Sequence, residues 1–531
     1  MILPLTPIRF LERAQRLYGN KAGIICEGER FTYNAFFDRC CRLAGALLGL
    51  GLQPQDRVAF LSYNCHRLLE AYYGVLHAGG VLLPLNIRLA PQEIAFILRD
   101  SAARFLFLDH DFLPLVQSIR KDMLHVEHCF LLEESAEAPD WMDPRAYDSL
   151  LAHTSPLPFD FLKIDENSLA ELFYTSGTTA DPKGVMLSHR TIYLHAMNVL
   201  AVEGLTDATV ELHTIPLFHA NGWGSAHTLT AVGATHVMLK KFDPAQVCRL
   251  VEQEKVTFFS MVPTMANALV HCADLSRYDL RSLEWAMIGG AASSEKLIRQ
   301  LEEKVGCKAY AGYGLTETSP VLTISYLTEA LANSSPEEQT RRKAMTGRPI
   351  VGVELRVVDE QGRDVPQDGN ALGEIVVRGD GVMDGYWQCP EDTQAAFRDG
   401  WLRTGDMAVW DEEGYLLIMD RTKDIIISGG ENISSVEIEK ALYSHPSVYE
   451  CAVIAVPHET RGEVSKALVV LKENTAASEQ DLLGFLKERL AKFKVPKSIE
   501  FFSYLPKGGT GKILKKELRE KYWAGQAKRV H

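Results

Sequence analysis

Residues 174–184 read YTSGTTADPKG, a run of small and hydroxylated residues around one lysine, Lys183. Hydroxyls and backbone N–H groups of this kind can wrap phosphate oxygens, and a lysine supplies mobile countercharge. The run does not match G-x-x-x-x-G-K-[ST], because Lys183 is followed by Gly184 rather than Ser or Thr. By composition alone it would be a solvated surface loop. Its surroundings decide between the two.

Upstream, apolar strands alternate with amphipathic helices. DRVAFLSYN (56–64) reads as a strand, CHRLLEAYYGVLHAGG (65–80) as a helix, and VLLPLN (81–86) as the next strand. PQEIAFILRD leads into RFLFLD, and further units follow at VTFFSMV and EWAMIGG. This rhythm predicts β-α units with mostly parallel, buried strands. The texture changes near residue 350, where GVELRVVDEQG, GEIVVRG and MAVWDEEGYLLIMD alternate with turn signals and predict antiparallel hairpins. ANSSPEEQTRRK (332–343) reads as an exposed loop, and residues 10–18 as an amphipathic first helix.

Composition bounds the function classes. A chain of 531 residues exceeds one ordinary core, so at least two domains are expected. Hydrophobic content of 46% and mean hydropathy of -0.07 describe a globular protein. Net charge is -13, which argues against a nucleic-acid partner held by phosphate neutralisation. Residues 424–531 carry 17 Lys+Arg against 14 Asp+Glu, a balance of +3, so the rest carries -16. No apolar run reaches the roughly 18 residues that span a bilayer. The ten cysteines contain no C-x-x-C, which points away from a zinc site and a disulfide framework and towards a reducing, cytoplasmic setting.

Three further stretches change the reading of the loop. YAGYGLTETSP (310–320) places Glu317 after a Gly-rich turn, and WLRTGDMA (401–408) places Asp406 at a strand-turn boundary. LPKGGTGKILKKELR (505–519) puts Lys512 at a glycine-flanked tip. The four stretches, in this order and spacing, resemble the adenylate-forming superfamily of acyl-CoA synthetases, luciferases and peptide-synthetase adenylation domains. The resemblance covers essentially the whole chain. It is closest to medium- and long-chain fatty acyl-CoA synthetases, through IPLFHANGWG (215–224), GYGLTETSP and SGGENISSVEIE (428–439).

The resemblance implies an α/β fold: a large N-terminal domain of β-α sheets with a β-barrel-like portion, plus a small mobile C-terminal α+β lid. It puts the domains at residues 1–422 and 424–531, with the hinge at Lys423. It implies an ATP-dependent carboxylic acid–CoA ligase working in two steps. A carboxylate first attacks the α-phosphate of ATP and releases pyrophosphate; the thiol of CoA then displaces AMP from the acyl-AMP. Such chemistry needs countercharge for the phosphates and alignment of two anions for in-line attack.

Residue by residue, the resemblance assigns Thr175, Ser176, Gly177, Thr178, Thr179 and Lys183 to the β- and γ-phosphates of ATP. Thr316 contacts the α-phosphate, and Glu317 is the ligand of Mg2+, for which one carboxylate plus phosphate oxygens suits a small hard cation. Tyr313 stacks on adenine beside Gly314, with Gly290, Ala291 and Ala292 as the opposite wall, where small residues let a flat base approach the backbone. Asp406 accepts from the ribose hydroxyls, and Arg421 sits near ribose and α-phosphate. Lys512 bridges carboxylate and α-phosphate during adenylation. His219, Trp223 and Gly312 fall in the acyl site, with Trp223 at the position of an aromatic gate. Gly429 and Gly430 line the channel for the pantetheine arm of CoA.

Two positions depart from the pattern: Ala180 stands where Gly is usual, and Ala311 where Gln or Asn is common. The partners expected are small molecules only (ATP, a carboxylic acid, CoA), with room for peripheral membrane contact and for a homodimer. Leu217–Ser225 holds no carboxylate to clamp an α-amino group, which disfavours amino-acid activation. A ligase for a short sulfur-containing or aromatic acid and a luciferase-like oxygenase are the alternatives, whereas a serine hydrolase lacks its G-x-S-x-G elbow.

Overall fold

The computed structural model describes residues 3–136, 138–175, 182–421, 424–428, 431–458, 462–508 and 511–523. Among these, four sheets organise the chain. The first is parallel through Val81–Pro84, Arg57–Leu61, Phe105–Leu108 and His128–Leu131. Leu169–Thr175 joins it in parallel, and the antiparallel strands Lys183–Ser188 and Gly385–Tyr386 extend it. The second sheet is parallel through Trp285–Ile288, Phe258–Met261, Val210–His213 and Thr235–Met238. Lys308–Gly314 continues it in parallel and then pairs antiparallel with Val321–Ile324.

The β-α rhythm of the sequence therefore does fold as two largely parallel sheets. Their short apolar strands are buried on both faces, as parallel strands covered by helices must be. The helix His66–His77 is the clearest case: every residue except Arg67 is buried, and it touches Val81–Pro84 of one sheet and Ala22–Cys26 of the other. A helix buried on nearly all sides belongs between layers. The first helix, Ile8–Tyr18, is amphipathic and buries Ile8, Phe10, Leu11 and Ala14.

A third, wholly antiparallel sheet contains Val353–Val358, Gly373–Gly379, Trp401–Trp410 and Leu416–Arg421, the strands read from alternation after residue 350. Its inner residues Val357, Ile375, Val377 and Leu416 join the main core. The fourth sheet, formed within residues 426–501, has its own apolar core around Ile426, Ile438, Leu442, Val453, Val469 and Leu482. The fold is thus α/β, with a large N-terminal domain of sheets and a small C-terminal α+β domain.

The stretch 332–343 corrects the exposed-loop expectation. Pro336–Lys343 is a helix, capped by Ser335 Oγ accepting from Glu338 N, and Arg342 is buried in it. Arg342 pairs with Glu338 at 2.6 Å, with Glu413 at 3.2 Å and with Asp411. The segment docks through ion pairs rather than an apolar stripe, so apolar periodicity gave no sign of it.

Candidate active site

The loop that opened the sequence reading is the connection of a hairpin. Thr175 ends one strand and Lys183 begins the next, and the two are directly opposed across the ladder. Ser176, Gly177, Thr178 and Thr179 lie outside the described residues, as does Ala180. Lys183 Nζ pairs with Asp392 at 2.6 Å and stands 5.4 Å from the centre of the Tyr386 ring. Tyr386 in turn donates its hydroxyl to Glu317 Oε1 at 3.1 Å. Neither Tyr386 nor Asp392 was singled out from sequence, because GYW and the helix start after it match no chemical pattern.

Glu317 occupies a single 3-10 turn, Thr316–Thr318, directly after the strand Lys308–Gly314. The chain doubles back so tightly there that a Cβ on Gly314 would fall 1.6 Å from the Pro320 carbonyl oxygen, so only glycine fits. Thr316 is buried beside it. Among the described residues no group of three His, Cys, Asp or Glu side chains could cage a metal ion. Glu317 is a lone carboxylate, which could hold a magnesium ion only together with oxygens from elsewhere.

The placement of Asp406 is fixed by strand register. Asp406 and Arg421 are opposed partners in the antiparallel pair Trp401–Trp410 and Leu416–Arg421. Arg421 Nε lies 3.4 Å from Asp406 Oδ1, and Tyr313 donates its hydroxyl to Asp406 Oδ2 at 2.7 Å. Burial, and then the Asp406 charge, push the Tyr313 phenol well above its usual range, so it remains a donor. Gly290 adopts φ +79°, and Ala291 and Ala292 are exposed.

Lys512 reaches this cluster from the C-terminal domain. Lys507 and Ile513 pair across a tight turn in which Gly508 N donates to Lys512 O at 2.8 Å. Arg88 Nη1 donates to Gly508 O at 3.2 Å and Thr264 Oγ1 to Gly511 O at 3.3 Å, tying the tip to the large domain. The Lys512 chain runs past Gly290, where an added Cβ would meet its Cε at 3.0 Å. Burial pulls its pKa down to about 8; Arg421 adds to that, while Asp406 and Glu317 oppose it.

On the other flank stand His219, Trp223 and Gly312. A Cβ on Gly289 would lie 3.0 Å from the Trp223 ring, and one on Gly312 would lie 2.8 Å from Met287 Sδ. Trp223 is buried. His219, half-buried at the start of the same turn, is pushed down to about 3 by burial and then by the Lys512 charge. Lys512 therefore stands between the Asp406–Arg421 cluster and the turn of His219 and Trp223. Lys423, Gly429 and Gly430 lie outside the described residues.

The sequence signature of this assembly matches known proteins. The AMP-binding enzyme family matches residues 11–387, and the AMP-binding enzyme C-terminal domain matches residues 437–512. The chain belongs to the AMP-binding enzyme family. It is 41% identical over 521 residues to a long-chain-fatty-acid–CoA ligase of Thermus thermophilus, covering 97% of this chain and 95% of that one. It is 38% identical to 4-hydroxybutyrate–CoA ligase 2 of Metallosphaera sedula, covering 97% and 94%. Its fold superposes on a crystal structure of an anthranilate CoA ligase in complex with anthranoyl-AMP with a TM-score of 0.89, at 27% identity and 98% coverage of both chains. This AMP-binding enzyme is an acyl-CoA ligase, an AMP-forming acid–thiol ligase whose substrates are ATP, a carboxylic acid and CoA.

Proposed function

We propose that the chain activates a medium- or long-chain aliphatic acid, with Lys512 as the residue on which adenylation turns. The observation that carries the second half is the convergence of Lys512 with Asp406, Arg421, Glu317 and His219 between the two flanks of the cleft. An ammonium there can hold a carboxylate oxygen and an α-phosphate oxygen together, offsetting their repulsion for in-line attack. The carboxylate oxygen bonds to phosphorus as the bond to the pyrophosphate oxygen breaks. Thr175 and Lys183, with the loop between them, take the β- and γ-phosphates once Lys183 leaves Asp392. Thr316 reaches the α-phosphate. Asp406 receives the ribose hydroxyls, and Tyr313 with Gly290, Ala291 and Ala292 encloses the adenine.

Glu317, oriented by Tyr386, would hold Mg2+ together with the phosphates, and the ion when bound neutralises charge on the departing pyrophosphate. For the second step the C-terminal domain, from residue 424 onward, turns about Lys423 and withdraws Lys512. Gly429 and Gly430 then line the pantetheine channel, and the thiol sulfur bonds to the acyl carbon as AMP leaves. The setting we assign is cytoplasmic; among the described residues no helix is long and apolar enough to cross a membrane.

The aliphatic assignment rests on Trp223, whose ring packs on Gly289 and Gly290 at the mouth of the acyl side. Each methylene buried there adds roughly 0.8 kcal/mol of binding until the pocket ends. One observation favours a second reading, a short acid with a polar or sulfur-bearing end. Glu211 is opposed to Phe258 in the second sheet, and Ser260 to Met287. Side chains of opposed and alternate residues share a face. Glu211, His213, Ser260 and Met287 therefore share the face that Gly289 continues under Trp223. On that face Glu211 Oε2, His213 Nδ1 and Ser260 Oγ have no hydrogen-bond partner among the described residues, although buried.

CoA-dependent AMP release from a panel of acids separates the two readings. Activity that climbs with alkyl length and then levels supports the first. A preference for a short polar, sulfur-containing or aromatic acid overturns it and leaves the ligase chemistry standing.

A further inference from the structure

The turn that carries Trp223 is left-handed. Five consecutive residues have positive φ: Ala220 at 43°, Asn221 at 46°, Gly222 at 67°, Trp223 at 61° and Gly224 at 92°. Three of them are not glycine, and L residues are rarely found in this region in succession. Such a run persists only where its surroundings over-determine it.

The surroundings here are a buried polar clamp. Asn221 Nδ2 donates to Glu171 Oε2 at 2.9 Å, while Asn221 Oδ1 accepts from Gly224 N at 2.8 Å. The other oxygen of Glu171 meets His227 Nε2 at 2.7 Å. Glu171, Asn221 and His227 are 0%, 1% and 1% exposed. A carboxylate accepts only, so His227 Nε2 carries the proton in this pair. Glu171 thus grips the segment on both sides of Trp223, two residues before it and four after.

Its place in the chain is equally specific. Glu171 lies in Leu169–Thr175, the strand that ends at the phosphate-loop hairpin, between the buried apolar residues Ala170 and Leu172. Burying a carboxylate is costly unless it is paired, and both of its oxygens are used on the turn.

We propose that Glu171 is a positioning residue for the acyl site: through Asn221 and His227 it fixes the left-handed turn and thereby the stance of Trp223 against Gly289 and Gly290. This rests on the acyl-site reading of Trp223. A glutamine at 171 keeps the shape and can accept from Asn221. Its amide N–H can hold His227 only if the imidazole moves its proton to Nδ1, which is buried without a partner among the described residues, so that end of the grip is weakened.

The test measures KM for acid and for ATP, and the alkyl-length profile, in the full chain carrying Glu171→Gln, Asn221→Gly, Trp223→Ala and Glu171→Gln with Trp223→Ala. Asn221→Gly retains a backbone suited to positive φ while deleting the clamp, so it remains informative should Glu171→Gln fail to fold. For each single clamp variant KM for the acid should rise roughly tenfold, the scale of one hydrogen bond to a charged group, with a flattened length profile. KM for ATP should stay at the wild-type value. In the Trp223→Ala background, Glu171→Gln should leave the profile as it is, because the group it positions is gone.

The positioning role is overturned if Trp223→Ala alters the profile while a folded clamp variant keeps the wild-type acid KM and profile. It is also overturned if Glu171→Gln and Trp223→Ala shift the profile independently. A Trp223→Ala enzyme with an unchanged profile removes the acyl-site reading itself, and the positioning role with it.

Discussion

Tyr313, Asp406 and Arg421, the residues proposed to meet the nucleotide, come from regular strands, and the placement of Asp406 against Arg421 follows from which residues oppose each other across a ladder. Trp223, proposed to face the acyl chain, sits in the five-residue left-handed turn 220–224 that follows His219 and is held by three buried polar side chains. A strand keeps its register through many hydrogen bonds and an alternating apolar pattern, so one substitution removes one contact. A strained turn has no such redundancy. Losing one clamp should therefore change the shape of the acyl site, whereas losing a nucleotide contact should change only affinity or rate.

The sharpest way to break that contrast is Lys512, which is proposed to serve both sides. Lys512→Ala should lower acyl-adenylate formation by roughly 10²- to 10³-fold, the scale of removing one preorganised charge donor. Thioester formation from supplied acyl-AMP should be largely intact. Comparable losses in the two half-reactions, measured separately on folded protein, would refute its assignment to the first.

Glu317→Gln comes next. A neutral amide is a poorer ligand for a hard cation, so the magnesium concentration for half-maximal adenylation should rise and turnover should fall. An unchanged magnesium titration would remove Glu317 from the metal. Asp406→Ala should weaken ATP and AMP binding by roughly 1.5 to 3 kcal/mol, the loss of a charge-assisted hydrogen-bond set, and leave the alkyl-length profile alone. Calorimetry with AMP and the acid panel check the two halves. A changed profile would mean that the two flanks are not separable.

The pH dependence follows from Lys512, whose pKa is depressed to about 8 by burial. A base with a depressed pKa binds fewer protons when docked than when free in solvent. Without nucleotide, docking of the C-terminal tip should strengthen as pH rises through about 8 toward 10.5, and show no Lys512 dependence below that window. Adenylation needs the charged form, so its kcat/KM should fall along a single-proton limb as pH climbs through about 8. Lys512→Arg should abolish that limb, because guanidinium does not titrate there. A wild-type profile flat to pH 10 would contradict this.

The smallest effect is expected at Asp392, the anion that Lys183 must leave. Asp392→Asn should lower KM for ATP by no more than a few-fold, since half-exposed ion pairs are worth about 0.2 to 1 kcal/mol. Acid preference should not move. A raised KM for ATP would mean that Asp392 orients Lys183 rather than competing for it.

Much of the fold is legible because its parts are periodic. The strand-helix alternation of residues 56–109 and the hairpins after residue 350 carry their structure in apolar spacing. Asp406 could be singled out because it sits in the recognisable stretch WLRTGDMA, and Arg421 through the family resemblance. The helix Pro336–Lys343 escaped because ion pairs of Arg342 dock it. Glu171 escaped for a related reason: a lone acid in an apolar strand says nothing about what faces it.

By itself the sequence determined the layered α/β architecture and the family chemistry, and it singled out the residues proposed to meet phosphate and ribose, because local periodicity and short motifs encode these. Only the tertiary structure decided how Lys512 of the C-terminal tip comes to lie against Gly290, how Lys183 is parked on Asp392, and how Glu171 grips the turn of Trp223. Lys512 and Gly290 are far apart in the chain, and Glu171 and Asn221 are 50 residues apart. Such pairings arise when packing of the sheets brings distant segments together, and no local pattern in the chain records them.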